Sequence, residues 1–523
     1  MPGGAMASCR AMGEQPRPVI VGVGQVANKD PERLVHPVEL LEDATRLALA
    51  DAGAGADVLA RIGLVMSSPL SVFSDDDGGA MLAERMGLPP GRRVQATYSG
   101  AGPQRMLTEA CRAIAAGEVE AALIVGGIAD SSVRNARLQG LADPAPPTSV
   151  WSQGSGGATR ADAEADMERL AKFRAMRPMA ESGAGVQMPV SIFALVESAM
   201  AAAAGRTPDE QRTRLGELLA PFTAVAATRP DVAWFPTART AEEISTLSPS
   251  NRFVSEPYTK LMCSFPTIDL AASVIVTSED LADRIGTTSA RVHPWGITCA
   301  KEAGPPSTWV EMHRSAALAA AVEQMLGGAE ISADDISGFD LYSCFPAAVQ
   351  LATGAFGFDP FTDPRPLTRT GGLPYFGGPG ASYSLHGIVC TVDAVRADAG
   401  SVSAVVGVGG SCNDFSVGLY SVDEPRRPGR FVEATDITEA LEPLAVPHAQ
   451  EANGTAVVDA MTIFHERDAG PVSAPLIARL PDGSRVGARP ADPELPATLS
   501  GTSLVGREVR LTTVDGTTTY LPA

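Results

Sequence analysis

The chain has 523 residues, 45% of them apolar and 20% charged, which gives a substantial core and room for about three domains. A net charge of -20, spread without blocks, sets nucleic acid aside as the main partner and leaves any anionic ligand in need of a local basic patch. No apolar run is long enough to span a membrane, and the seven scattered cysteines (9, 111, 263, 299, 344, 390 and 412) read as reduced thiols in the cytoplasm, with no disulfide frame and no metal site.

Residues 1–16 (MPGGAMASCRAMGEQP) lack the apolar stretch of a signal peptide and read as a disordered tail. Pro18–Gly24 (PVIVGVG) has the pattern of a strand buried on both faces. The next run, Pro37–Ala52, carries Val38, Leu41, Thr45, Ala48, Leu49 and Ala52 on one helical stripe. Strand-like Ile62–Met66 follows, then a glycine-rich turn at Tyr98–Gly102, a helix over Pro103–Ala116 and a strand over Ala121–Val125. Such alternation marks an α/β layered fold. Ala129–Tyr258 lacks it, although Met188–Ala204 reads as a buried helix, so this stretch is expected to be an inserted loop region over the core.

The order then repeats. Strands are expected at Arg291–Gly296, Gly338–Tyr342, Ser403–Gly407 and Phe415–Ser421, with helices over Thr308–Leu326, Phe345–Phe356 and Tyr383–Arg396. Ala116–Gly127 (AGEVEAALIVGG) and Ala399–Gly410 (AGSVSAVVGVGG) agree at seven of twelve positions. They are too far apart for a solenoid, and point to a duplicated α/β unit whose central helix feeds a central strand. The same offset pairs Ser99 with Ser382. After a linker at Glu424–Arg430, candidate strands at Thr455–His465, Ser484–Arg489 and Glu508–Val514, with turn signals at Asp482-Gly483 and Asp515-Gly516, predict a small all-β barrel or sandwich.

Open α/β sheets place their sites at the C-terminal strand ends, and three segments fall there. Ser99, in YSGAGPQ, reads as a helix cap or as a hydroxyl facing unpaired amides. Cys344, in YSCFP, lies between a strand and a helix and reads as a nucleophile or as a buried small hydrophobe. In GGLPYFGGPGASYSLH, five glycines make a loop that lets a ligand approach the backbone, and His386 reads as a proton carrier or a satisfied core histidine. Gly409 and Gly410 are candidate oxyanion donors beside Cys412 and Asn413, or permit close strand packing. GVGQ lacks dinucleotide-loop spacing and no GxxxxGK[ST] motif is present.

Together PVIVGVGQ, EPYTKLMCS, DLYSCFP, GGLPYFGGPGASYSLHGI and GVGGSCNDFSVGLYS resemble the thiolase superfamily over roughly residues 17–421, as closest to thiolase-like proteins of type 1, which carry an additional C-terminal domain. The resemblance implies duplicated βαβαβαββ halves in an α-β-α-β-α arrangement. The segments it implies are an N-terminal half at 17–129, a loop region at 130–258, a C-terminal half at 259–423 and a β-rich domain at 424–523. It also implies an acyltransferase in lipid or acyl-CoA metabolism, like an acetyl-CoA acetyltransferase, acting as a monomer or homodimer with CoA or acyl-CoA as substrate or ligand and no tightly bound cofactor. Three departures stand out. Ser99 occupies the equivalent of the first nucleophilic cysteine, Gly377-Gly378-Pro379 replaces Gly-His-Pro, and Gly407-Val408-Gly409 replaces the late Cys-x-Gly.

Cys344 and His386 are then the surviving reactive groups, with Gly378, Gly380, Gly409 and Gly410 lining the ligand. Arg252, Lys260 and Arg105 are candidate partners for CoA phosphates. Two alternatives stand beside acyl transfer: a non-catalytic CoA or acyl-CoA binding or carrier protein, and a retro-aldolase on a branched or steroid acyl-CoA in which Tyr342 and Tyr383 do the acid–base work.

Overall fold

A computed structural model describes residues 15–70, 76–144, 181, 183–186 and 188–523. Most of the expected N-terminal tail, Cys9, and the part of the expected loop region at 145–180 lie outside the described residues.

Two five-stranded sheets form the core. The first contains β1 (Pro18–Ala27), β2 (Ile62–Ser67), β3 (Arg92–Gln95), β4 (Ala121–Ala129) and β7 (Asp269–Ser278), in the order β1-β7-β4-β2-β3. The second contains β8 (His293–Lys301), β9 (Gly338–Leu341), β10 (Ser403–Gly409), β11 (Asp414–Ser421) and β12 (Arg430–Glu433), in the order β12-β8-β11-β10-β9. Pairing directions match between the sheets. β1·β7 and β7·β4 are antiparallel and β4·β2 parallel, as β8·β11 and β11·β10 are antiparallel and β10·β9 parallel. The two copies of the sequence repeat end in β4 and β10, which occupy equivalent places.

Helices form three layers around these sheets. On the outside of the first sheet, α1 (Pro37–Ala52) and α2 (Gly78–Met86) bury Leu40, Leu41, Ala48 and Leu82 against Val19, Val65 and Val125. A Cβ on Gly22 would sit 2.1 Å from the Ala48 carbonyl oxygen, so the glycines of PVIVGVG serve helix packing. Between the sheets lie α3 (Gly102–Ala115) and α8 (Tyr383–Ala397), with Leu107, Ile114, Leu385, Ile388 and Val392 meeting Val274, Ile297 and Val405. Outside the second sheet are α4 (Pro189–Ala203), α5 (Pro208–Ala227), α6 (Ala316–Ala329) and α7 (Pro346–Phe356). The architecture is the layered α-β-α-β-α arrangement of the thiolase fold with an additional β-rich C-terminal region.

Several boundaries differ from the sequence reading. The helix expected from Thr308 begins at Ala316, because Pro305 and Pro306 hold the chain out of a regular helix and the Ser315 side chain caps Leu318 N at 3.0 Å. The boundary expected at Glu424 cuts across the second sheet, since β12 pairs in parallel with β8 from Arg430↔Gly296 to Glu433↔Cys299. The single strand expected over Thr455–His465 is two: β13 (Gly454–Met461) and β14 (Phe464–Glu466).

β13 closes a five-stranded barrel with β16 (Leu476–Arg479), β17 (Arg485–Pro490), β18 (Glu508–Val514) and β19 (Thr517–Pro522). Its core holds Val458, Leu476, Val486, Val509 and Tyr520. Asp515 and Gly516 both adopt positive φ (49° and 72°), as the tight β18–β19 turn requires. Two short helices, α9 (Thr435–Leu441) and α10 (Leu495–Leu499), accompany these strands. β14 leaves the barrel and joins β15 (Gly470–Ser473) to β5 (Phe253–Ser255) and β6 (Tyr258–Thr259) in the sheet β15-β14-β5-β6, which locks the C-terminal region to the loop region. Among the described residues no helix is long and apolar enough to cross a membrane.

Candidate active site

Duplication places two helix starts, those of α3 and α8, against the ends of the opposite sheet's central strand. Ser99 before α3 packs on Gly409 of β10, where a Cβ would lie 2.0 Å from its Oγ. Ser382 before α8 packs on Gly126 of β4, where a Cβ would lie 2.6 Å from its Cβ. The offset that carries Ser99 onto Ser382 also carries Gly126 onto Gly409. Each crossing therefore needs a glycine, because a β-carbon would occupy the serine's place.

The Ser99 crossing is the one with chemistry around it. Ser99 Oγ donates to Asp414 Oδ2 at 2.6 Å and accepts from Ala101 N at 3.2 Å. Arg105, one turn into α3, grips Asp414 through Nη1 at 2.7 Å and Nη2 at 2.6 Å, while its Nε reaches Glu433 at 2.9 Å. Arg105 is thus occupied twice over, which corrects its assignment as a CoA-phosphate contact. Ser384 Oγ donates to the Gly100 carbonyl at 2.7 Å and ties the two central helices together.

Tyr342, Ser343 and Cys344 follow β9 into this crossing. Tyr342 lies so close to Gly100 that a Cβ there would be 2.6 Å from its hydroxyl, and its ring meets Tyr383 edge-on at 5.3 Å. Tyr383 Oη is 2.6 Å from Thr370 Oγ1. Burial raises both phenols well above their ordinary value, so both are protonated donors near neutral pH. The glycine loop closes over them. Gly378 N donates to Phe265 O at 2.9 Å, and its Cβ would strike Ser264 Oγ. Gly380 has φ 55°, and its Cβ would lie 2.8 Å from the Tyr98 hydroxyl. Gly410 turns at φ 62° beside Asn413.

Cys344 is 9% exposed, and its carbonyl accepts from Ser264 N at 2.9 Å. Burial pushes its thiol far up, opposed only in part by the Phe345 amide. The helix start that could have acidified it is already used, because Ala347 N donates to the Tyr258 hydroxyl at 3.3 Å. That hydroxyl donates in turn to the buried Glu197 carboxylate at 2.8 Å, and the Tyr258 ring stacks on Phe345 at 5.8 Å. The other described cysteines share this state. Burial raises Cys111, Cys299 and Cys412 far above the ordinary thiol value and pushes Cys263 and Cys390 up to about 12.

His386 lies one turn into α8, fully buried. Its Nδ1 faces Gln25 Oε1 at 3.0 Å, Phe376 packs edge-on at 5.3 Å, and burial lowers its pKa to about 3. It is a neutral imidazole held in the central layer toward β1. Its expected role as a proton carrier near neutral pH is corrected on that ground. Arg252 and Lys260 sit at the start of the segment that reaches Ser264: Lys260 N donates to Arg252 O at 2.9 Å, and Arg252 Nη1 donates to Phe253 O at 2.7 Å. Asp414 and Glu197 were missed in the sequence reading. Their partners Ser99 and Tyr258 lie 315 and 61 residues away, separations that leave no local pattern.

Residues 436–517 match the thiolase-like protein type 1 additional C-terminal domain. No curated protein matches the chain in sequence. Among solved structures, the chain is similar to a monomeric SCP2-thiolase like protein type 1 from Mycobacterium smegmatis, with 28% identity, a TM-score of 0.80, and 97% of this chain and 99% of that one covered. It also shares its fold with the Ltp2-ChsH2(DUF35) aldolase (17% identity, TM-score 0.56, 79% and 99% covered). A third likeness is to the Acat5 thiolase from Ascaris suum in complex with coenzyme A (13%, 0.53, 77% and 99%).

Proposed function

We propose that this chain, of the thiolase fold and carrying the type 1 additional C-terminal domain, is a monomeric acyl-CoA-binding protein whose site works without a thiolate. The observation that carries this reading is the state of the strand-end groups. Ser99 is bonded to an Arg105-held carboxylate where the superfamily's first cysteine is expected, and Cys344 is a buried, protonated thiol. Covalent acyl transfer needs an activated nucleophile, whereas the carboxylate beside Ser99 is tied to the Arg105 guanidinium and the Cys344 thiol is protonated. The glycine loop around Gly378 and Gly380, with Gly409 and Gly410 at the end of β10, is the proposed seat of the thioester group. Arg252 and Lys260 are the proposed contacts for CoA phosphates.

Calorimetric titration with CoA, acetyl-CoA and longer acyl-CoAs, with assay for released thiol, tests the reading. Binding without thiol release is the expected result. Absence of binding to every member overturns it. Thiol release that disappears in Cys344→Ala replaces it with the acetyl-CoA acetyltransferase-like reaction.

A second reading is favoured by the Tyr342–Tyr383 pair, two neutral phenols edge to edge beside Gly100. A neutral phenol can donate to the thioester carbonyl and relay a proton, giving its own to the nascent enolate as it takes that of the tertiary alcohol, so that the C–C bond of a branched or steroid acyl-CoA breaks in a retro-aldol sense with no thiol involved. Loss of cleavage in both Tyr342→Phe and Tyr383→Phe supports it, and unchanged cleavage in both removes it.

A further inference from the structure

An open cavity of about 370 Å³ lies where the second core sheet meets the C-terminal region, within the size range of small-molecule sites. Its walls come from the residues just after β8, the loop before α6, the first turn of α6, and the end of α9 with the stretch that follows it. Trp309, Val310, Ala316, Ala319, Leu441 and Leu444 make it mainly apolar, and Val310 and Leu444 are 65% and 58% exposed to solvent. Apolar side chains this exposed on both sides of one cleft are unusual for a plain surface.

Two buried polar residues line the cavity, Glu302 and Ser315. Glu302 is 7% exposed. Its Oε1 is fully used, accepting from Ser315 Oγ at 2.7 Å and from Ala317 N at 2.9 Å, and so caps α6. The Ala316 amide also bonds to this carboxylate, which lies at the start of α6. Burial raises this carboxyl above its ordinary range. A second carboxylate, Glu311, and one guanidinium, Arg314, also line the cavity, and none of the three forms an ion pair among the described residues. The lining charge is thus net negative by one.

We propose that this cavity binds an amphipathic primary amine, its ammonium head on Glu302 Oε2 and its aliphatic body against Trp309, Ala316, Ala319, Leu441 and Leu444. The ammonium adds a charged donor to a carboxylate otherwise bonded only by neutral groups, stabilises the ionised form of Glu302 and balances the lining charge. The aliphatic part covers apolar surface otherwise left in water. This site stands apart from the acyl-CoA reading and does not depend on it.

The test is calorimetric titration of the full chain with n-octylamine, 1-octanol and octanoate as separate probes at one pH near neutrality. The amine should bind at least tenfold tighter than the alcohol, and octanoate weaker than either. Glu302→Gln keeps an acceptor for the α6 cap and should bring the amine down to the level of the alcohol. Ala319→Trp, at an exposed position of α6, should weaken the amine and the alcohol together with the fold intact by circular dichroism. Tighter binding of octanoate would assign the cavity to Arg314 and anions and overturn the proposal. Equal binding of the three probes, no binding, or an amine affinity unchanged by Glu302→Gln would also overturn it.

Discussion

The two serine–glycine crossings are built alike and used differently. At the Ser382 crossing the hydroxyl donates to the Pro379 carbonyl at 2.7 Å, a neutral local bond that finishes a turn. At the Ser99 crossing the hydroxyl donates to Asp414, which Arg105 holds, and Tyr342 packs on the adjoining Gly100. Duplication supplied two equivalent strand ends, and among the described residues only Ser99 bonds a charged group through its hydroxyl. Chemistry on this fold therefore depends on which residues arrive from distant segments, more than on the backbone geometry that the halves share.

The largest expected effect comes from closing the gap at one crossing and then the other. Gly409→Ala should cost about 3 kcal/mol, because its Cβ meets both Ser99 Oγ and the Gly100 backbone nitrogen. Gly126→Ala, which faces two serine side chains, should cost about 1.5 kcal/mol. Denaturant midpoints of the two variants give the comparison, and equal losses would mean the crossings are mechanically equivalent. Arg105→Ala should come next, at about 2 kcal/mol, by leaving the mostly buried Asp414 carboxylate without its cation. The double variant Arg105→Ala/Asp414→Asn should recover part of that loss in the same measurement. Ser99→Ala, which removes a bond to a charged acceptor, should cost about 2 kcal/mol, against about 1 kcal/mol for Ser382→Ala.

A smaller, pH-dependent effect belongs to the central layer. His386 has a folded pKa of about 3 against an ordinary 6.5, so below pH 6.5 the unfolded chain binds a proton that the folded chain refuses. Its contribution is constant above 6.5 and is lost as the pH falls toward 3, at up to about 1.4 kcal/mol per unit. Unfolding followed from pH 7 to pH 5 should show a shallower decline in His386→Asn than in the parent chain.

The halves could be read from sequence because their signal is local. The AGxVxA repeat, the apolar stripe of Pro37–Ala52 and the buried runs of β4 and β10 each lie within one element and announce its period. What escaped the reading was made by pairing over distance. β12 has only four residues and shows its membership of the second sheet only through β8, and β14 meets β5 at the single pair Phe464↔Ser255. In the site, motif position brought out Ser99, Cys344, Tyr342, Tyr383 and the glycine loop, and the structure gathers them. Motif position could not tell that Arg105 is spent on Asp414 and Glu433, or that His386 turns toward Gln25 in a dry layer. Burial and charge partners decide such things, and both are properties of the assembled core.

The most direct test of a site without a thiolate is intact-mass analysis after incubation with a panel of acyl-CoAs at neutral pH. A chain whose buried thiols are all protonated should keep its mass under conditions where calorimetry shows the thioester bound. A stoichiometric acyl adduct that maps to Cys344 and is absent from Cys344→Ala would contradict it.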